Sequence, residues 1–540
     1  MPPLLLLALL LVVAWLVARC PERAPWLQAI DRALDGRTLP VVAFVAAVFV
    51  MGYVWGSLHP IAVYHDEAAY LLQAELFARF RWTLPSPVVP RAFEQAAVLV
   101  TPVLAPKMGP GHAFALVPGI WLGMPALMPL LLTGVTAALF VLLVRRVAGA
   151  TVAALALILW LTASGNLVWR PTYFSETSSG VAWLGAWWCL LEWRTTRRGA
   201  RLLALAALTG WGAITRPLTF VAFALPLGAV VLWDVVRGHH WRQFAWAVAV
   251  GTACLMVVPL QAWRVTGSPR SSPLSLYTKQ YLPSDVIGFG LHAGTAERAL
   301  PKDLARVYED FDKLHASHTL ASLPKTFGER AGAVFNIQFG GWRSILAPVV
   351  LVGTLSGIPA VAFSLITALL VMLAYLAYAH LPVWSVYYLE LLPVLSFVFA
   401  LGLWRAMAWT ATLVRRSALP EGAGALATVL VLVVSAQPTV REVVAYRRRI
   451  EHLTAYQAQF TQAFDAIPDR KALVFVRYGK GHPAHYSLVR NVGDPERAHV
   501  VTAYDLGPAA NDSVRRAFPD RAVYLLDEGQ RALQKIVFPP

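Results

Sequence analysis

Long apolar runs separated by short charged segments dominate this chain. A helix needs roughly 20 apolar residues to cross a hydrocarbon core. Runs of that kind fall at 40–58, 126–144, 150–168, 179–193, 201–215, 217–235, 243–262, 345–358, 360–379, 387–404 and 424–437. A further run, Leu4 to Val17, lacks the basic start and small-residue cleavage site of a signal peptide and reads as an extra membrane helix. The pattern predicts a mostly α, polytopic transmembrane bundle of about 11–12 spans. Basic residues gather at one set of span ends: Arg145 and Arg146, then Arg194, Arg197, Arg198 and Arg201, then Arg237, then Arg405, Arg415 and Arg416. The positive-inside rule puts those ends in the cytoplasm. The two long intervals, 59–112 and 263–343, are then extracytoplasmic loops.

Shorter periodicities give these loops structure. Leu71, Leu72, Leu76 and Phe80 recur at helical spacing, with Glu75 and Arg79 four apart, which predicts an amphipathic helix over 68–80 lying along the membrane surface. Pro85, Pro87 and Pro90 break it, and a second short helix is expected over Ala92 to Val100. Pro106 to His112 reads as a glycine- and proline-rich turn, and Pro301 to His315 as another amphipathic helix. The tail changes character. A charged helix is expected over Val440 to Phe464, strands over 472–477, 499–503 and 522–526, and a helix from Asn511 to Phe518. Strands alternating with helices predict a small parallel α/β unit. It carries no glycine-rich phosphate loop and is expected to cover the membrane part. The division expected is an N-terminal helix and basic segment (1–39), a membrane catalytic domain (40–438) and an extracytoplasmic α/β domain (439–540).

Composition narrows the function classes. The chain is 57% hydrophobic and only 14% charged, against about 25% charged in soluble domains. The net charge of +16 is spread over short inter-span loops rather than one face, which argues against nucleic acid as a partner. Cys20, Cys189 and Cys254 show neither a disulfide framework nor metal spacing.

The candidate chemistry starts at Asp66-Glu67, adjacent carboxylates just beyond the first long span. Ionisable residues at a membrane boundary are functional candidates by default. Asp66 is suited to act as a general base on an acceptor hydroxyl, and the pair to hold a divalent cation. Lys107 and Arg216, on the same expected face, suit a phosphate, the one as a point charge and the other as a fork. His65, His112, Glu176 and Glu390 are secondary candidates for substrate or metal, with the metal left open; for each, a structural role is the competing reading.

Together these segments resemble the GT-C-type integral-membrane glycosyltransferases, in particular the protein O-mannosyltransferase and lipid A aminoarabinose transferase group. The resemblance rests on Tyr64-His65-Asp66-Glu67-Ala68-Ala69-Tyr70, the Lys107-x-x-Pro110-Gly111 turn, Phe174-Ser175-Glu176, Arg216-Pro217 and Tyr387-Tyr388-Leu389-Glu390. It covers roughly residues 40–400. One departure is Ser385-Val386, where many such enzymes carry an arginine. The resemblance implies transfer of a sugar from a polyprenyl-phosphate donor, with inversion, outside the cytoplasm. It makes Asp66 the catalytic carboxylate, Glu67 its neighbour in the site, and Lys107 and Arg216 the donor-phosphate ligands. The acceptor is a lipid, a glycan or a protein, and the expected location is a bacterial inner membrane with the site facing the periplasm. The competing function is a lipid-linked sugar transporter or flippase, or a non-catalytic component of surface-glycan assembly. A transporter calls for broken helices with polar groups at midplane in both halves, and few appear.

Overall fold

A computed structural model of the chain describes residues 3–19, 25–57, 61–292, 294–416, 422–483 and 486–537; Cys20 lies outside these. The architecture is mostly α, a helical bundle carrying loop helices and a small sheet unit at the C-terminus. Among the described residues, four helices are individually long and apolar enough to cross a membrane: Leu127–Ala148, Pro217–Gly238, Trp241–Thr266 and Leu391–Leu413. Gln28–Leu34 and Leu39–Trp55 qualify together, bent by 74° at their junction. Ala150–Leu161, Gly199–Thr215 and Pro359–Tyr375 are shorter apolar helices.

Packing between the helices depends on small residues, as expected where burial in lipid supplies no hydrophobic drive. The Leu127–Ala148 helix lies against Leu39–Trp55 and Glu176–Thr196. A Cβ at Gly134 would come within 2.7 Å of Phe44. The tightest crossing joins Val349–Thr354 to Leu391–Arg416: a Cβ at Gly353 would overlap the Val398 carbonyl, and one at Gly402 the Val349 carbonyl. Gly402→Val should therefore cost about 1–3 kcal/mol, read as a lower unfolding midpoint in detergent, whereas the same change at Gly228, which faces open space, should cost only the altered helix propensity.

Several predicted elements differ. The segment 92–100 is not a helix: Pro90–Phe93 is a 3-10 turn and Val98–Leu99 pairs antiparallel with Val103–Pro106. β-branched Val98, Val100 and Val103 are more at home in the extended conformation. The run 345–358 is broken, a 3-10 turn Gly341–Ile345 followed by a short helix Val349–Thr354. The expected helix over 301–315 splits into Lys302–Val307 and Phe311–Ser317. The helix predicted over 68–80 forms as His65–Ala78, but it does not lie on a surface: Ala69, Tyr70, Leu72, Gln73, Ala74, Leu76 and Phe77 are all buried.

The last predicted span and the charged tail helix are one continuous helix, Gly422–Asp465. The sheet unit has strands Ala472–Arg477, Val500–Tyr504 and Ala522–Asp527 in parallel, with Ala472–Arg477 central, and an added antiparallel strand Ala532–Lys535. It docks on the first long loop. Gly493 N–H donates to Glu75 at 2.7 Å, Asn491 N–H to Gln95 at 2.8 Å, and Arg490 to the Ala62 carbonyl at 2.8 Å. The tail thus reaches the segment that leads into Asp66.

Candidate functional site

The His65–Ala78 helix is started by Glu67. One carboxylate oxygen accepts the N–H groups of Val63 (2.9 Å) and Tyr64 (2.8 Å), a capping arrangement that satisfies donors ahead of the first turn. The other accepts Tyr173 N–H at 2.9 Å. Glu67 is buried, which pushes its carboxyl pKa up, while the three amides favour the anion. Both oxygens are held by backbone amides, so Glu67 fixes the helix start.

Asp66 is exposed in the first turn of the same helix, where the helix dipole favours a negative charge. Its carboxylate is within electrostatic reach of Lys107, Tyr70, Tyr308 and Tyr387. Burial of Tyr70 pushes its phenol up to about 12, so it stays a neutral hydrogen-bonding group.

Lys107 follows the strand Val103–Pro106, and its N–H donates to Ala97 at 3.0 Å. The ammonium lies 4.6 Å over the Tyr277 ring and 3.8 Å from Asp285. Burial pushes its pKa down, but Asp285, Tyr277 and Asp66 outweigh that and the net direction is up, so it is a cation. Asp285 in turn accepts Tyr378 O–H at 2.8 Å. The Met108 carbonyl is held by Gln73 (3.0 Å) and Gln261 (2.9 Å).

The glycines of the Lys-Met-Gly-Pro-Gly turn bring it to Arg216. A Cβ at Gly109 would sit 2.6 Å from the Ile214 carbonyl, and one at Gly111 would overlap Thr215. Arg216 is buried and fully engaged. It pairs with Glu176, lies 3.4 Å from Glu390, and donates to Tyr375 O–H at 3.1 Å. Its guanidinium also stands 5.8 Å from the centre of the Tyr387 ring. Glu390 is further bonded to Ser179 and feels buried Arg170. Two arginines and two carboxylates thus form a charge-balanced buried cluster. Glu176 and Glu390 belong to that cluster.

His112 is buried without exposure, Nε2 at 2.8 Å from the Tyr173 carbonyl and Nδ1 at 2.9 Å from the Ser178 hydroxyl. The carbonyl can only accept, so Nε2 carries the proton and Nδ1 accepts. Burial pushes the pKa down to about 4. His112 and Glu67 therefore grip the two sides of one peptide segment, Tyr173, and His112 has no nitrogen to spare for a metal. His65 opens the Asp66 helix, partly exposed. Among the described residues no three His, Cys, Asp or Glu side chains converge to hold a metal ion.

A depressed histidine pKa makes acid destabilising. The unfolded chain binds a proton near pH 6.5 and the folded chain only near 4, so stability is full above about 6.5 and falls as the pH drops toward 4. From pH 7 to 5 the loss is roughly 2 kcal/mol. Unfolding midpoints in nanodiscs at the two pH values should show it, and His112→Asn should flatten the difference.

Asp285, Tyr375, Tyr378 and Arg170 were not singled out by sequence. Tyr387 was, as part of a motif. Asp285 lies in the second long loop with nothing in its neighbours to mark it, whereas Arg170 carried a signal: an arginine at the end of an apolar run, six residues before Glu176.

Fifteen solved chains are similar to this one in structure. They include ArnT from Cupriavidus metallidurans bound to undecaprenyl phosphate, 16% identical over 92% of this chain and 94% of that one, with a TM-score of 0.47. Another is the oligosaccharyltransferase AglB from Archaeoglobus fulgidus with an inhibitory peptide and a dolichol-phosphate, 12% identical over 90% and 69%, also at 0.47. No family model and no curated protein matches the chain.

Proposed function

We propose that this chain is an integral-membrane glycosyltransferase that moves a sugar from a polyprenyl-phosphate donor to an acceptor hydroxyl at the membrane face carrying Asp66, with inversion. The observation that carries the reading is an exposed carboxylate, Asp66, within electrostatic reach of a charged and mostly buried ammonium, Lys107, and of phenols from other segments. Asp66 takes the proton from the acceptor hydroxyl as that oxygen attacks the anomeric carbon. The bond from that carbon to the lipid phosphate breaks on the opposite face, and Lys107 stabilises the negative charge that grows there. Arg216, engaged with Glu176 and Glu390, acts by holding Tyr375 and Tyr387 and by its field, rather than as a free phosphate fork. The basic clusters at the far end of the bundle support an extracytoplasmic position for this face by the positive-inside rule.

Preorganised charge at a leaving group is typically the largest catalytic contribution, and losing one donor costs about 10²–10³ in kcat. Lys107→Met should lower single-turnover transfer by that factor, with Lys107→Arg recovering part of it, measured with a radiolabelled polyprenyl-phosphate sugar in nanodiscs. Unchanged turnover in Lys107→Met would remove the lysine from the mechanism.

A further inference from the structure

Asp285 lies 3.8 Å from the Lys107 ammonium, in the second long loop between the helices Pro273–Tyr281 and Lys302–Val307. It is buried and held in place, its Oδ1 accepting the Tyr378 hydroxyl at 2.8 Å. Nε2 of buried His315 stands 3.7 Å from the same oxygen. The other ring nitrogen, Nδ1, faces the Phe311 carbonyl at 2.9 Å. A carbonyl can only accept, so Nδ1 carries the proton, and the neutral ring turns a second acceptor toward Asp285. Nε2 accordingly has no hydrogen-bond partner. Neutral His315 therefore leaves the charge of Asp285 uncompensated. Among the described residues, Lys107 is the only lysine or arginine paired with Asp285.

Lys107 also feels Asp66. One ammonium thus answers two carboxylates, while the neighbouring cluster of Arg170, Arg216, Glu176 and Glu390 is balanced in charge. The surroundings of Lys107 carry one negative charge in excess. Transfer then changes the charge on the lipid. The bond from the anomeric carbon to the phosphate oxygen breaks with its electron pair going to the phosphate. The acceptor oxygen forms the new bond, and its proton passes to Asp66 and from there to water. The phosphodiester of the donor carries one negative charge. The phosphomonoester left behind carries close to two, its second pKa lying near 6. A carboxylate fixed beside Lys107 repels that product about twice as strongly as it repels the donor.

We propose that Asp285 is a specificity-determining residue that sets the site against the spent lipid phosphate and so speeds its release. This role rests on the reading of Lys107 as the donor-phosphate cation.

The test measures equilibrium binding of a short-chain polyprenyl phosphate and of its methyl ester to the full-length protein in nanodiscs at pH 8, where the two probes differ by one charge. A phosphate bonded to Lys107 lies within roughly 7 Å of Asp285, and a unit charge at that distance is worth about threefold even at the dielectric of water. Asp285→Asn removes the charge and keeps an acceptor for Tyr378. It should tighten the methyl ester about threefold and the phosphate by the square of that factor, about tenfold, because Coulomb energy scales with the charge of the lipid. Asp285→Ser removes the same charge with a smaller side chain and should show the same pattern. Asp285→Glu keeps the charge and should keep the wild-type ratio of the two affinities. Both probes are measured on one preparation, so a lower folded fraction cancels from the ratio. An equal change for the two lipids, or weaker binding of both, would make Asp285 a structural support of Lys107 and overturn the proposal. If Lys107→Met leaves both affinities unchanged, the lysine is not the phosphate ligand, and the reading of Lys107 falls together with the role of Asp285.

Discussion

Asp66→Asn should lower sugar transfer by about 10²–10⁴-fold, the range a general base contributes, while leaving the protein folded and its donor affinity near that of wild type. The structure explains why the fold is indifferent to this change. Asp66 is exposed in the first turn of its helix, and Glu67, not Asp66, supplies the carboxylate that closes the helix start. Removing the charge costs a favourable dipole interaction of about 0.3–1 kcal/mol. Glu67→Gln should show the opposite division. It replaces an acceptor-only carboxylate with an amide whose oxygen can still accept from Val63 and Tyr64 but whose NH2 then opposes the Tyr173 N–H, so folded yield should fall first and activity with it. Comparing the two variants by folded fraction and by turnover per folded molecule separates chemistry from positioning in adjacent residues.

The second large effect is expected at Arg216. Arg216→Met leaves Glu176 and Glu390 buried with only Arg170 nearby. Breaking a buried ion pair by removing one partner costs about 3–5 kcal/mol, a large fraction of any protein's net stability. The variant should aggregate or unfold at markedly lower temperature in nanodiscs. Arg216→Met with Glu176→Gln restores the charge balance and should recover part of the lost stability. If the double variant is as unstable as the single one, the cluster is not held by charge balance. This effect also warns against reading lost activity at Arg216 as lost phosphate binding.

Periodicity and charge were informative wherever local pattern and environment agreed. The His65 helix, the Lys107 turn and the three parallel strands of the tail follow from spacing, glycine and β-branched residues, and all are present. Local pattern misled where a partner distant in sequence decided the outcome. Val98–Leu99 joins a sheet because Val103–Pro106 folds back on it. The amphipathic helix 68–80 is buried because Ala113, Leu116 and Val117 pack on Tyr70, Ala74 and Phe77, and Leu84, Val98 and Leu104 on Ala69, Leu72 and Leu76.

The site shows the same division. Asp66 and Lys107 could be chosen by type and sidedness, and the glycines around Lys107 explain its approach to Thr215 and Arg216. No sequence feature says that Glu67 faces backbone amides while Asp66 is exposed; that follows from which side of the helix meets Tyr173. Nor does sequence pair Lys107 with Asp285, 178 positions later, since that contact depends on how the second long loop closes over the first.

The most direct measurement is release of sugar from radiolabelled polyprenyl-phosphate sugars by purified protein in nanodiscs, for wild type and Asp66→Asn, with membrane extract as the source of acceptor. The account predicts release by wild type, dependent on extract, and at least about a hundredfold less from Asp66→Asn at equal donor binding. Saturable binding of donors by both proteins with release by neither would contradict it and favour a protein that carries lipid-linked sugars without transferring them.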